Sequence, residues 1–264
     1  MIDTHCHLDA AEFDADRAQV QAAANAAGVL DIIVPGVAVD AFAKQKMIVA
    51  ACPGAHAAYG IHPLYVASAS DQDLVTVGDW ITRENPLAIG EIGLDFFIAN
   101  PDIPRQTRFF AAQLKLAREF DLPVILHVRR AVDAVLRELR RIRVRGGVAH
   151  AFNGSRQQAD EFLKLGFKLG FGGAATYSGS SRIRQLAATL PAEAIVLETD
   201  APDIPPSWLN RGRNSPAELP RIASEIAALR DVPLSTLISQ TNDNAREVFG
   251  DLRQSASRAS SAGP

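Results

Sequence analysis

Two cysteines, Cys6 and Cys52, are all that the 264 residues contain. A pair that sparse makes no disulfide framework, and a reducing compartment, the cytoplasm, is the expected setting. Aromatic residues are thin as well, at 6%, so a long base-stacking track for single strands is not evident. No apolar run reaches the roughly 18 residues of a membrane helix, and no basic segment followed by an apolar one reads as a signal peptide. Nor is there a surplus of cations. The formal net charge of −3 excludes a generally basic protein that coats nucleic acid, while leaving room for a local cationic patch. No low-complexity linker interrupts residues 1–250, which read as one domain. Residues 251–264, rich in Ser, Ala and Arg and without periodicity, are expected to be a disordered tail. No membrane contact and no obligate protein partner are expected.

What is present is ordinary for a globular protein: 47% hydrophobic and 22% charged residues, in a chain long enough for a substantial core. Short apolar runs alternate with longer amphipathic ones. Beyond an opening strand at the N-terminus, residues 30–34, 56–61, 87–90, 123–127, 147–150, 167–170 and 194–198 read as strands. Helices are expected over 14–27, 41–51, 71–84, 104–120, 132–142, 182–190, about 215–229 and 233–249. Another is opened by the capping-box spacing Ser155-Arg-Gln-Gln158 and closed by Gly166. Ser215-Pro216-Ala-Glu218 combines an N-cap, Pro at the first helical position and a capping-box Glu. Eight strands alternating with helices place the chain in the α/β class as a (β/α)₈ TIM barrel, with a doubly wound sheet as the alternative.

In such a barrel the chemistry sits where strands end. In Met1-Ile-Asp-Thr-His5-Cys6-His7, strand alternation puts His5 and His7 on one face and Cys6 on the other. Glu91 follows strand four, His127 and His150 end strands five and six, and Asp200 follows strand eight. Four of the six histidines thus collect on one rim with two carboxylates. Taken singly, a strand-end His is ordinarily a hydrogen-bonded core residue, Glu91 a salt-bridge partner and Asp200-Ala-Pro202 a turn. Together they point to metal, because burying two carboxylates without a cation is costly. Six ligands exceed a mononuclear hydrolytic site, which keeps an open position. They suit two divalent ions about 3.5–4 Å apart with a carboxylate between them. The mixed donor set favours Zn, Mn, Fe or Ni over Mg.

The motifs Asp3-Thr-His5-Cys-His7-Leu-Asp9, Gly60-Ile-His62-Pro63, Gly90-Glu91-Ile-Gly93-Leu-Asp95, Pro123-Val-Ile-Leu-His127-Val-Arg129, Val148-Ala-His150-Ala-Phe152-Asn-Gly154 and Glu198-Thr-Asp200-Ala-Pro202 resemble those of the TatD family of metal-dependent hydrolases, among the amidohydrolase-like barrels. They run from residue 3 to about 216, nearly the whole domain. The resemblance implies that His5, His7 and Asp200 hold the more buried metal and that His127 and His150 hold the second. Glu91 would bridge, in place of the carboxylated lysine of many related barrels. Asp200 would also act as general base beside a metal-bound hydroxide. The family's nuclease activity is described as Mg-dependent, so Mg stays in the set, with Zn the ion expected to be found bound.

Around these residues, Arg129 lies two positions beyond His127, on the same side and nearer the mouth, where a guanidinium would meet a substrate anion. His62 ends strand three and is expected to hydrogen-bond a substrate phosphate or orient a loop rather than ligate. Glu198 shares a strand face with Asp200 and, with Asp95, is expected to orient the ligands from behind. Gly170-Phe-Gly172-Gly173-Ala-Ala175 superficially matches a dinucleotide fingerprint. Its late position in an eight-repeat pattern argues instead for close backbone packing.

The reading that follows is a metal-dependent phosphodiesterase, a deoxyribonuclease working from a strand end, with DNA as its partner. A hydrolase of a small amide, ester, lactone or phosphotriester keeps the same site. The mildly acidic charge and the missing aromatic track favour such a substrate. A non-catalytic metal-binding scaffold is the third alternative.

Overall fold

The structure is a computed structural model and describes residues 1–250 and Leu252. The remaining residues of the expected tail lie outside the described residues. Eight strands, β1 (Ile2–Asp3), β2 (Asp31–Pro35), β3 (Ala55–Tyr59), β4 (Ala88–Asp95), β5 (Val124–Arg129), β6 (Gly147–Ala149), β7 (Phe167–Phe171) and β8 (Ile195–Leu197), pair in parallel in chain order. The Thr4 backbone N–H donates to Leu197 O at 3.0 Å and brings the last strand back beside the first. The fold is a (β/α)₈ TIM barrel.

The helices α1 (Arg17–Ala26), α2 (Phe42–Ala51), α3 (Asp71–Glu84), α4 (Ile103–Glu119), α5 (Val132–Arg141), α6 (Arg156–Lys164), α7 (Ser181–Thr189), α8 (Leu219–Arg230) and α9 (Leu234–Phe249) alternate with the strands. Helix α4 illustrates the local causes. Asp102 caps it by accepting from Arg105 N at 3.0 Å, Pro104 lies in its first turn, and Gln106, Phe109, Phe110, Gln113, Leu114 and Ala117 form one buried stripe. Helix α6 starts with the expected capping box. Ser155 Oγ accepts from Gln158 N at 3.2 Å and Gln158 Oε1 accepts from Ser155 N at 2.9 Å.

Strands covered on both faces are apolar almost throughout. Outside the barrel wall the strands pack on the helices through residues such as Ile32, Val34, Phe109 and Leu126. Inside, Ile2, Ile33, Ala58, Ala88, Ile125, Val148 and Val196 fill the base. Ala245, Val248 and Phe249 of α9 meet them there. Asn242 of α9 accepts from Ile2 N at 3.0 Å, and Asn244 donates to Ala192 O and Ile195 O at 2.7 and 2.8 Å.

Several expected boundaries move. The opening strand stops at Asp3, so His5 and His7 lie beyond it rather than on it. Their backbone is still held on both sides, because Cys6 N donates to Ile33 O and His7 N to Ala201 O. Strand β4 runs past Gly90 to Asp95, so Glu91 sits inside a strand and not after its end. Gly and Glu have low strand propensity, which hid the continuation. It is enforced by pairing with β5 through Gly93↔His127 and Asp95↔Arg129, after a register irregularity between Ile89 and Ile92. His127 likewise lies two residues before the end of β5. Strand β8 stops at Leu197, so Glu198 falls outside it. Helix α1 begins at Arg17, behind a 3₁₀ turn over Ala11–Phe13. A second 3₁₀ turn over Pro216–Glu218 precedes α8, and there the expected capping-box Glu218 accepts instead from Trp208 Nε1 at 2.7 Å.

Candidate metal centre

The N-terminal segment and the segment after β8 hold one another at the mouth. Asp3, fully buried, accepts from the backbone N–H groups of His5 (3.2 Å) and Thr199 (3.0 Å) and from the Thr199 hydroxyl (2.6 Å). Asp200 N donates to His5 O at 2.8 Å. Asp200 has φ 58°, a left-handed conformation that Asp tolerates better than most residues. Asn214, also buried, donates to Thr199 O at 2.8 Å and to Asp203 O at 2.9 Å, tying down the loop that carries Asp200.

Four donor atoms result from this splice. His5 Nε2 lies 3.3 Å from His7 Nε2, 3.2 Å from Glu91 Oε2 and 3.4 Å from Asp200 Oδ1. His7 Nε2 lies 3.5 Å from the same Glu91 oxygen and 3.8 Å from the same Asp200 oxygen. Ligands about 2.1 Å from a tetrahedral ion stand roughly 3.4 Å from one another. The two imidazole nitrogens thus stand from one another and from each carboxylate oxygen at about the spacing a cation imposes, and these residues fit a divalent metal.

The other Glu91 oxygen, Oε1, faces a second group. It is 2.8 Å from His127 Nδ1, 3.5 Å from His62 Nε2 and 3.7 Å from His150 Nε2. Clusters of metal-ligating atoms within 4.8 Å of one another are His5/His7/Asp200, His5/Glu91/His150 and His62/Glu91/His127. Glu91 thus turns Oε2 toward His5 and His7 and Oε1 toward His127, His62 and His150. The grouping around His127 includes His62, which sequence reasoning kept outside.

Hydrogen bonding distinguishes His62 from the others. Its Nδ1 accepts from Leu64 N at 3.1 Å, and burial keeps the ring below the usual histidine range, hence neutral. A neutral ring with an accepting Nδ1 carries its proton on Nε2, and a protonated nitrogen is a donor and not a ligand. That Nε2 points at His127 Nδ1, 3.0 Å away. His127 is held from behind by Asp95, whose Oδ2 lies 3.1 Å from its Nε2. A carboxylate behind an imidazole sets its tautomer and turns the far nitrogen, here Nδ1, toward Glu91 and His62.

Glu198 plays a comparable part at His150, but not as strand alternation suggested. It accepts from Ala151 N at 2.6 Å, and its Oε1 lies 3.3 Å from His150 Nδ1, while Asp200 Oδ2 lies 4.0 Å from the opposite nitrogen, Nε2. The carboxylate needs room. A Cβ on Gly170 would fall 2.0 Å from Glu198 Oε2, and one on Gly172 would fall 2.7 Å from Glu198 O. Those two glycines of the fingerprint-like stretch make space for an acid.

The charges are set by burial and by one another. Burial pushes the Asp200 carboxyl up to about 6, against the opposite pull of His150 and His7. Burial would raise Glu91 too, yet the surrounding imidazoles, with His127 in direct contact at 2.8 Å, hold it well below the usual carboxylate range. His5, buried and stacked on His150 with ring centroids 3.8 Å apart, is pushed well below the ordinary histidine value by burial and by that neighbour. Burial disfavours charge on His7 and His150 as well. Glu91 and then Asp200 nevertheless raise His7 to about 9, and Asp200, Glu198 and Glu91 raise His150 to about 10.

Arg129 ends β5 on the exposed rim, and its guanidinium carbon sits 3.9 Å from the centre of the Phe97 ring. Phe97 and Arg130 were not singled out from sequence. Nothing in a linear pattern joins residue 97 to residue 130.

A barrel whose C-terminal mouth gathers imidazoles and carboxylates at metal-ligand spacing is of the metallohydrolase class. Comparison with known proteins narrows it. A family model described as TatD related DNase matches residues 2–250. A relative from Escherichia coli K12, named an uncharacterized metal-dependent hydrolase, YjjV, is 39% identical over 252 residues, covering 94% of this chain and 97% of its own. A Pantoea protein named 3'-5' ssDNA/RNA exonuclease TatD is 34% identical over 258 residues, covering 94% and 99%. The crystal structure of YjjV superposes with a TM-score of 0.92 at 38% identity, over 95% of this chain and 98% of that one. The chain belongs to the TatD-related DNase family of metal-dependent hydrolases. Among the described residues no helix is long and apolar enough to cross a membrane.

Proposed function

We propose that residues 1–250 are one hydrolase domain that cuts phosphodiesters of single-stranded nucleic acid from a strand end, using two divalent ions. The observation that carries this reading is that His5 Nε2 and His7 Nε2 each lie 3.2–3.8 Å from a Glu91 oxygen and an Asp200 oxygen, with the second Glu91 oxygen turned to His127, His62 and His150. The Pantoea relative named as an exonuclease, 34% identical, supports the substrate class. Two free, buried cysteines support a reducing, cytoplasmic setting.

In this reading His5, His7 and Asp200 hold one ion, His127 and His150 hold the other, and Glu91 bridges. The donor set suits Zn or Mn, with Mg, Fe and Ni as alternatives. When bound, such ions acidify water and neutralise charge on the phosphoryl oxygens. Asp200, whose Oδ1 lies 3.4 Å from His5 Nε2 at the mouth, is placed to take a proton from the attacking water. The Nε2–H of His62 is a donor for a phosphoryl oxygen. Arg129 presents its planar fork of N–H groups to the strand at the rim. Asp95 and Glu198 keep His127 and His150 oriented.

The test is to strip the protein, reload it with Zn, Mn or Mg in turn, and assay two sets of substrates. One set is end-labelled single-stranded DNA and RNA. The other is a chromogenic phosphodiester, a phosphotriester, a lactone and an amide. Release of mononucleotides is the expected result. Turnover confined to the small substrates would replace the nuclease reading with a small-molecule hydrolase. No turnover with any metal would leave a metal-binding scaffold.

A further inference from the structure

Beyond the metals, the rim carries two cations that are adjacent in sequence. Arg129 and Arg130 are both exposed, and among the described residues neither makes an ion pair, although other cations do: Arg213 pairs with Asp16, Arg17 with Asp14 and Lys44 with Asp14. Consecutive residues of an extended strand point in opposite directions. Arg130 breaks that rule, because its φ of 53° turns the chain into the left-handed region as it leaves β5. Both guanidinium groups therefore come over one ring. Their carbons lie 3.9 Å (Arg129) and 4.5 Å (Arg130) from the centre of Phe97.

Phe97 is itself 47% exposed, in a position where a large apolar side chain has little reason to be unless it supports something. Its backbone is pinned, since Phe97 N donates to Asp95 Oδ1 at 2.8 Å and Phe96 N to Arg129 O at 2.9 Å. Asp95 is also the carboxylate behind His127. The ring and the two cations are thus built onto the same support as the site. A ring under a guanidinium restricts its rotamers and leaves the N–H edge free for anions.

From these contacts we infer that Phe97, Arg129 and Arg130 form a clamp for a second phosphate of a single-stranded nucleic acid, next along the strand from the phosphate being cut. The clamp makes the protein select oligonucleotides over esters with one phosphate. The strand rise of about 3.3 Å per residue sets the Arg129 backbone roughly 6.6 Å outward of His127, on the scale of one nucleotide step. The inference rests on the proposed phosphodiesterase reading for its first phosphate. It also resolves how a chain with a net charge of −3 and few aromatics could hold a strand: locally, with one ring and two cations, rather than along a track.

The experiment compares wild type with Arg130→Ala, Phe97→Leu and Arg130→Lys, all metal-loaded. Hydrolysis of a thymidine trinucleotide and of bis(p-nitrophenyl) phosphate gives a ratio of kcat/KM values. Loss of one charge-assisted contact to phosphate is expected to lower that ratio about tenfold for Arg130→Ala, mainly through KM, with partial recovery in Arg130→Lys. Binding of a fluorescein-labelled phosphorothioate decathymidylate is followed by anisotropy against salt. Each lost cation should reduce the log–log slope by about 0.7. Equal losses on both substrates, or none, together with an unchanged salt slope in Arg130→Ala and Phe97→Leu, overturn the clamp. If wild type cleaves neither substrate, the phosphodiesterase reading fails, and the anisotropy slope alone decides the clamp.

Discussion

The two ends of the barrel are built from the same strands yet are opposite in chemistry. At the base, the inward positions of β2, β5, β6 and β8 carry Ile33, Ile125, Val148 and Val196, closed off by Val248 and Phe249 of α9. Two residues further along, on the same face, Ile125 gives way to His127, Val148 to His150 and Val196 to Glu198. One end gains stability from apolar burial, on the order of 1.5–3 kcal/mol for each fully buried aliphatic side chain. The other buries Asp3, His5, Glu91, His150, Glu198 and Asp200, for which desolvation is unfavourable. The apolar base thus offsets the desolvation of the mouth, and the mouth's buried donors are arranged for a cation.

Three changes would break or sharpen that contrast. The largest effect is expected at the mouth. Asp200→Asn should lower kcat by about 10²–10⁴-fold, as loss of a general base does, with an unfolding midpoint close to wild type. A midpoint that collapsed along with activity would make Asp200 structural. Next comes the base, where Ile125→Ala should destabilise by about 2–5 kcal/mol in denaturant titrations while kcat per folded molecule stays near wild type. An equal loss of kcat would mean that the two ends are not separable.

The smallest effect, and the one that links the ends, is the pH dependence of metal stabilisation. Saturating metal at a thousand times its Kd adds about 4 kcal/mol to stability, which a chelator removes. Without metal, His7 and His150 are raised to about 9 and 10 in the folded protein, from an ordinary value near 6.5. Their contribution to the metal-free fold is fully present below that ordinary value and is lost as pH rises through 9 and 10. A cation must displace those protons, so its affinity grows with pH. Thermal unfolding with and without chelator should therefore show a wider gap in midpoint at pH 8 than at pH 6. A gap that is the same at both, or wider at pH 6, would count against these imidazoles as ligands.

Much of this was legible in the linear pattern. Apolar runs at regular intervals located all eight strands, and the capping box Ser155/Gln158 marked a helix start by chemistry that acts within four residues. Histidines and acids near strand ends marked the rim. Strand β4 was read short, since the pairing that carries it through Gly90, Glu91 and Gly93 comes from β5, more than thirty residues away. His62 was set outside the cluster, because its proximity to His127 depends on how β3 and β5 converge. The run Ala58, Gly60, His62, inward at every second residue, was the available signal.

By itself, then, the sequence determined which segments are strands or helices and which residues have the chemistry to bind metal, since periodicity, capping and donor type are properties of a residue and its near neighbours. Only the tertiary structure decided that Asp3 splices the first segment to the last, that Gly170 and Gly172 make room for Glu198, and that Arg129 and Arg130 share one ring. Each of these is a contact between parts of the chain that meet only when the barrel closes, and its geometry is set by the packing of every strand between them.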